Sequence, residues 1–134
     1  MTDVKIQLGA VWHFSLAVRD PEKSAHFWTK NFGLHEMFRS DEAIGLTNDA
    51  MIIGLFKGTP HPDTIDHISF HLDGLHALHE ALETLKKNDV HLEDPGDEIG
   101  PTSPGSPHLG LWFHDPDGYR WELSVQNGAN ESTD

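Results

Sequence analysis

Residues 11–33, VWHFSLAVRDPEKSAHFWTKNFG, decide the fold. Over 11–18 the side chains alternate. Trp12, Phe14, Leu16 and Val18 share one face, and His13, Ser15 and Ala17 share the other. Alternation at period two predicts a half-buried strand. Asp20-Pro21-Glu22 then opens a helix: Asp20 caps the first free N–H groups, Pro21 suits the first turn, and Glu22 complements the helix dipole. Ala25, Trp28 and Phe32 recur at helical spacing, and Gly33 is a stop. Trp12, Trp28 and Trp121 are expected in the core. Two strands are expected next, over 43–47 and 51–56, joined by the turn residues Asn48-Asp49-Ala50.

The pattern then starts again. Gly58, Pro60 and Pro62 mark a linker over about 58–65. Beyond it Ile68, Phe70 and Leu72 alternate with His67, Ser69 and His71. Asp73-Gly74 precedes a helix with Leu75, Leu78, Leu82 and Leu85 on one stripe, ending near Lys87-Asn88. Two last strands, over 109–113 and 119–125, flank Asp115-Pro116-Asp117-Gly118, a strong turn signal. His13-Phe14-Ser15 is echoed by His67-Ile68-Ser69, and Lys30-Asn31 by Lys87-Asn88. The order of elements repeats as well. One domain is therefore expected over 1–134, with module one about 10–57, module two about 66–126 and a polar, frayed tail over 127–134. Each half alone is too small to bury a core well, so the halves are expected to join their sheets with helices outside and a cavity inside.

Charge and composition narrow the function. The chain has 134 residues, with 9 Lys and Arg against 22 Asp and Glu, for a formal charge of −13. Such a surface repels phosphates, which argues against nucleic acid and anionic membranes as partners. No cysteine is present, which removes disulfides, thiol nucleophiles and cysteine-type zinc sites. No stretch has the length of a membrane span, and MTDVKIQLGA shows no secretory pattern, so a soluble, cytoplasmic protein is expected. Eleven histidines supply many candidate metal ligands and proton carriers.

Three strands send polar groups away from the helices. The first offers His13, the restarted strand His67, and the last, whose apolar side is Tyr119, Trp121, Leu123 and Val125, offers Glu122. Two imidazoles and a carboxylate form a candidate facial metal site with open positions. Burying Glu122 beside apolar neighbours without a partner would be costly, which favours a ligand role. Ser69, His71 and His114 are candidates to orient substrate or move protons. Trp112 is a candidate pocket residue, and Arg120 is the one evident cation facing the cavity. The Pro- and Gly-rich segment 94–107 reads either as a binding lid or as a linker to the last hairpin.

WHFSLAVRDPEKSAHFWTKNFGL (12–34), IDHISFHLDGL (65–75) and WFHDPDGYRWELSV (112–125) together resemble the vicinal oxygen chelate superfamily. That group includes glyoxalases, extradiol dioxygenases, and fosfomycin- and bleomycin-resistance proteins. The resemblance spans roughly residues 10–126. It implies an α+β fold of two βαβββ modules forming an open mixed β-barrel around one divalent metal ion (Fe, Mn, Zn, Ni or Co), with His13, His67 and Glu122 as ligands. It also implies a homodimer, in some members with ligands from two chains, and a small-molecule substrate bound through neighbouring oxygens. Glyoxalases usually carry a fourth ligand, a Glu on the last strand of module one. Aligning the two hairpins through their turns puts Gly54 at that place, so three protein ligands are expected. Lyase, dioxygenase and transferase chemistry are not separated at this level. The alternative is a non-catalytic, bleomycin-resistance-type protein that sequesters a cationic ligand in an acidic groove.

Overall fold

Asp20 and Gly33 bound the first helix as their chemistry requires. In the computed structural model, which describes residues 5–131, α1 spans Pro21–Phe32. The Asp20 carboxylate accepts the Glu22 and Lys23 N–H groups at 3.0 and 3.4 Å. Gly33 takes the left-handed conformation (φ 68°), and its N–H reaches the Thr29 carbonyl at 3.0 Å. Residues 1–4, the start of the stretch MTDVKIQLGA, and tail residues 132–134 lie outside the described residues.

The chain divides into two compact units between Pro60 and His61. The first carries β1 (His13–Val18), α1, β2 (His35–Arg39), β3 (Ala43–Thr47) and β4 (Ile52–Lys57). The strand order is β1-β4-β3-β2, with β1 parallel to β4 and the other pairs antiparallel. Leu16, Val18, Ile44, Leu46, Ile53 and Leu55 are buried, as are Ala25 and Trp28 of the helix packed on β3 and β4. β2 is an exposed edge strand with a bulge between Glu36 and Phe38. The Phe38 ring lies over Gly45, where a Cβ would overlap it. Trp12 is not core: it precedes β1 and is 70% exposed.

The second unit carries β5 (Ile68–His71), α2 (Leu75–Lys87), β6 (His91–Leu92), β7 (Gly100–Pro101), β8 (Leu109–His114) and β9 (Arg120–Val125). Its order is β5-β9-β8-β6, with β7 also on β8 and β5 parallel to β9. Leu75, Leu78 and Leu85 of α2 are buried, and α2 packs on β8 and β9, where Leu111, Phe113, Trp121 and Leu123 are buried. Phe70 stacks on Trp121 with ring centroids 5.6 Å apart. Gly74 gives α2 no side-chain cap; Glu131 Oε1 accepts the Leu75 N–H instead, at 2.9 Å. Residues 128–130 form a 3-10 turn, so this part of the tail is tied to α2 rather than frayed.

The fold is α+β, with two helices and two mixed sheets and no barrel closed by strand pairing among the described residues. Among those residues no helix is long and apolar enough to cross a membrane. The two units repeat in register. Ser15, two residues after His13, pairs with Gly54; Ser69, two residues after His67, pairs with Glu122. Gly54 therefore holds in the first unit the place that Glu122 holds in the second.

Candidate metal centre

Glu122 is the unusual residue of the second sheet. It sits in the middle of β9, is 4% exposed, and its Oε2 has no hydrogen-bond partner among the described residues. A buried carboxylate oxygen left unpaired is costly, so a group that supplies positive charge fits there. Gly110 of β8 makes the room: a Cβ there would fall 2.8 Å from Glu122 Oε2 and 2.9 Å from the Leu123 carbonyl. A glycine inside a strand marks this kind of close approach.

His67 lies just before β5, with Nε2 3.9 Å from Glu122 Oε1. Its Nδ1 is 2.7 Å from Asp66 Oδ1. An ionised carboxylate only accepts, so Nδ1 donates and Nε2 keeps its lone pair in the neutral ring. The His67 hydrogen bond holds the Asp66 carboxyl below the usual carboxylate range, helped by the Arg120 charge. The His67 ring meets Trp112 edge-on at 4.5 Å. Trp112 is half-buried, on the face of β8 opposite Leu111 and Phe113.

The structure thus brings two of the three expected ligands together. His13, the third, is exposed at the start of β1 in the first unit. Among the described residues, no group of three or more His, Asp and Glu side chains is gathered to hold a metal ion. The pair His67 and Glu122 nonetheless suits a divalent ion: one nitrogen lone pair, one carboxylate, and an orphaned buried oxygen.

The other expected site residues sit on the same sheet. Ser69, register partner of Glu122, shares a hydroxyl hydrogen bond with Ser124 at 2.8 Å. His71 is exposed at the end of β5. His114 Nε2 is 2.8 Å from Glu93 Oε2, and its ring lies 4.7 Å from that of His91. Arg120 is not a free cation. Its Nε and Nη2 fork onto Glu93 at 2.7 and 3.0 Å, and its Nη1 is 3.3 Å from Asp66. Asp66, Glu93 and Gly110 were not foreseen as site residues, although the glycine within an alternating strand and the acid preceding His67 are visible signals.

Segment 94–107 is fastened rather than loose. The Glu98 carboxylate, buried, accepts the Gly96 N–H at 2.9 Å and lies 3.5 Å from Lys86 Nζ. β7 pairs with β8, Gly100 opposite Gly110.

Comparisons with known proteins agree with this architecture. The family model of the Glyoxalase/Bleomycin resistance protein/Dioxygenase superfamily matches residues 10–123. No curated protein matches the sequence significantly. Among solved structures, the fosfomycin resistance protein FosX from Listeria monocytogenes is 20% identical with a TM-score of 0.73, over 89% of this chain and 94% of that one. Lactoylglutathione lyase from Agrobacterium tumefaciens is 15% identical with a TM-score of 0.71, over 90% and 96%. A glyoxalase/bleomycin resistance protein/dioxygenase from Nocardioides is 17% identical with a TM-score of 0.73, over 92% and 87%. At these identities the likeness is one of fold. With a family match across most of its length, the chain belongs to the glyoxalase/bleomycin resistance protein/dioxygenase superfamily.

Proposed function

We propose that this protein is a divalent-metal-dependent enzyme acting on a small molecule that chelates through neighbouring oxygens. His13, His67 and Glu122 are the proposed ligands, and the ion is one of Fe, Mn, Zn, Ni or Co. The single observation that carries the reading is the buried Glu122 carboxylate, unpartnered at Oε2 and 3.9 Å from His67 Nε2 at Oε1. A bound divalent ion supplies Lewis acidity to the substrate oxygens. The chain supplies the rest. Asp66 orients His67, Ser69 beside Ser124 offers a hydroxyl to orient substrate, and His71 and His114 move protons. The fosfomycin resistance protein and the lactoylglutathione lyase of the same fold support an enzyme of this kind. The proposed setting is a cytoplasmic homodimer.

Metal-stripped protein titrated with Mn(II), Ni(II) and Co(II), then assayed on catechols, methylglyoxal–thiol adducts and fosfomycin, tests the proposal. One ion bound per chain and turnover of one substrate class are expected. The formal charge of −13 favours one competing reading, sequestration of a cationic ligand without catalysis. Tight binding of bleomycin by protein that takes up no metal would replace the enzyme proposal with that one.

Gly54 carries a further expectation. A Cβ there would fall 2.6 Å from Ser15 Oγ, so the variant is made with Ser15→Ala. Gly54→Glu then adds a fourth ligand, a second carboxylate, at the place equivalent to Glu122, and the Co(II) absorption spectrum of the loaded protein is expected to change. An unchanged spectrum in a folded variant would mean that a side chain at position 54 does not reach the ion.

A further inference from the structure

Asp66 is an exposed side chain, 83% accessible, yet it is held at two points on one oxygen. Its Oδ1 accepts from His67 Nδ1 at 2.7 Å and from Arg120 Nη1 at 3.3 Å. A surface carboxylate held only by its neighbour would swing freely, at a cost in side-chain entropy for every contact kept. Arg120 removes that freedom because it is itself clamped. Its Nε and Nη2 make a two-point fork on Glu93, at 2.7 and 3.0 Å. That geometry fixes a planar guanidinium and leaves Nη1 aimed elsewhere. Its Cζ lies over the Trp112 ring, 3.9 Å from the ring centre. Trp112 in turn meets His67 in a T-shaped contact, ring centroids 4.5 Å apart. The contacts close a ring: His67 to Asp66, Asp66 to Arg120, Arg120 to Trp112, Trp112 back to His67.

We infer that Asp66 is a positioning residue, held by the Glu93–Arg120 clamp, which fixes the proton of His67 on Nδ1 and keeps Nε2 bare and directed towards Glu122. Free neutral imidazole exchanges between tautomers, and the hydrogen bond at one ring nitrogen decides which is present. The charged partner here is on Nδ1. Nε2, the nitrogen nearer Glu122, is then the one able to ligate. Where His67 serves as a metal ligand, a consequence that rests on the function proposed above, losing this partner weakens metal binding on the order of 10- to 100-fold.

The experiment separates the two halves. Metal-free protein labelled with 15N at histidine is studied by NMR at a pH well above the ordinary imidazole pKa. Wild type is expected to show His67 protonated at Nδ1. Asp66→Ala is expected to move the population towards Nε2–H, Arg120→Ala is expected to move it part of the way, and Asp66→Asn, whose amide oxygen still accepts, is expected to hold it. Mn(II) affinity is then measured for the same proteins and for His67→Ala. A tautomer that does not move in Asp66→Ala overturns the positioning role, whatever the metal does. A tautomer that moves, with Mn(II) affinity unchanged in both Asp66→Ala and His67→Ala, supports the positioning role and removes His67 from the ligand set.

Discussion

Glu122→Met is expected to raise the melting temperature of the metal-free protein and to abolish stoichiometric metal binding. Methionine keeps the length and lack of branching that the space beside Gly110 accepts, and it removes the buried, unpartnered oxygen. An unsatisfied buried polar group costs about 1–3 kcal/mol, more when charged. For a chain of this size that corresponds to roughly 3–10 °C. Thermal unfolding of chelator-treated wild type and variant reads the first effect. Added metal should then stabilise only wild type, by about 4 kcal/mol at a thousand times its dissociation constant. A variant that melts lower than wild type without metal would mean that Glu122 already has a stabilising partner in the fold, and the case for a ligand would lapse.

Asp115→Ala is expected to be the most damaging change outside the site. Its Oδ1 accepts the Asp117 and Tyr119 N–H groups at 2.9 and 3.1 Å, and its Oδ2 accepts Trp121 Nε1–H at 3.1 Å. This carboxylate builds the turn that delivers β9, and Trp121 is 1% exposed. Removing three hydrogen bonds from buried donors should cost about 3 kcal/mol, near 10 °C in melting temperature. The penalty should also depend on pH. Burial pushes the Asp115 carboxyl up from 3.8 to about 6, outweighing the hydrogen bonds from Trp121, Asp117 and Tyr119. A raised acid favours the protonated folded state. Its contribution is full below about pH 4 and falls away as pH rises through about 6, a change of about 3 kcal/mol. The wild-type advantage over Asp115→Ala should therefore be larger near pH 4 than near pH 7. Urea unfolding of both proteins across that range measures it; a gap that narrows on acidification contradicts the account.

Much of this was written in local chemistry. Asp20, Pro21 and Gly33 bound α1 because capping and a left-handed stop are short-range effects. The alternation around His67 and Glu122 put both on one face, and the strand pairing of Ser69 with Glu122 keeps them there. The equivalence of Gly54 with Glu122 also came from aligned turns and holds in the strand registers. What stayed hidden depends on tertiary contact. β2 is an exposed edge strand whose residues, HEMFR, carry no alternation. Trp12 continued the alternation of β1 but lies one residue beyond its first pair, His13 with Ile52, where burial stops. The Arg120 clamp joins residues 27 and 54 positions apart, Glu93 and Asp66, which no periodicity predicts.

The central claim is most directly tested by elemental analysis of wild type, His13→Ala, His67→Ala and Glu122→Ala proteins purified side by side without added metal. One divalent ion per chain in wild type, and loss of it in each variant, is the result predicted. Full metal content in the folded Glu122→Ala protein, or none in any of the four, wild type included, would contradict it.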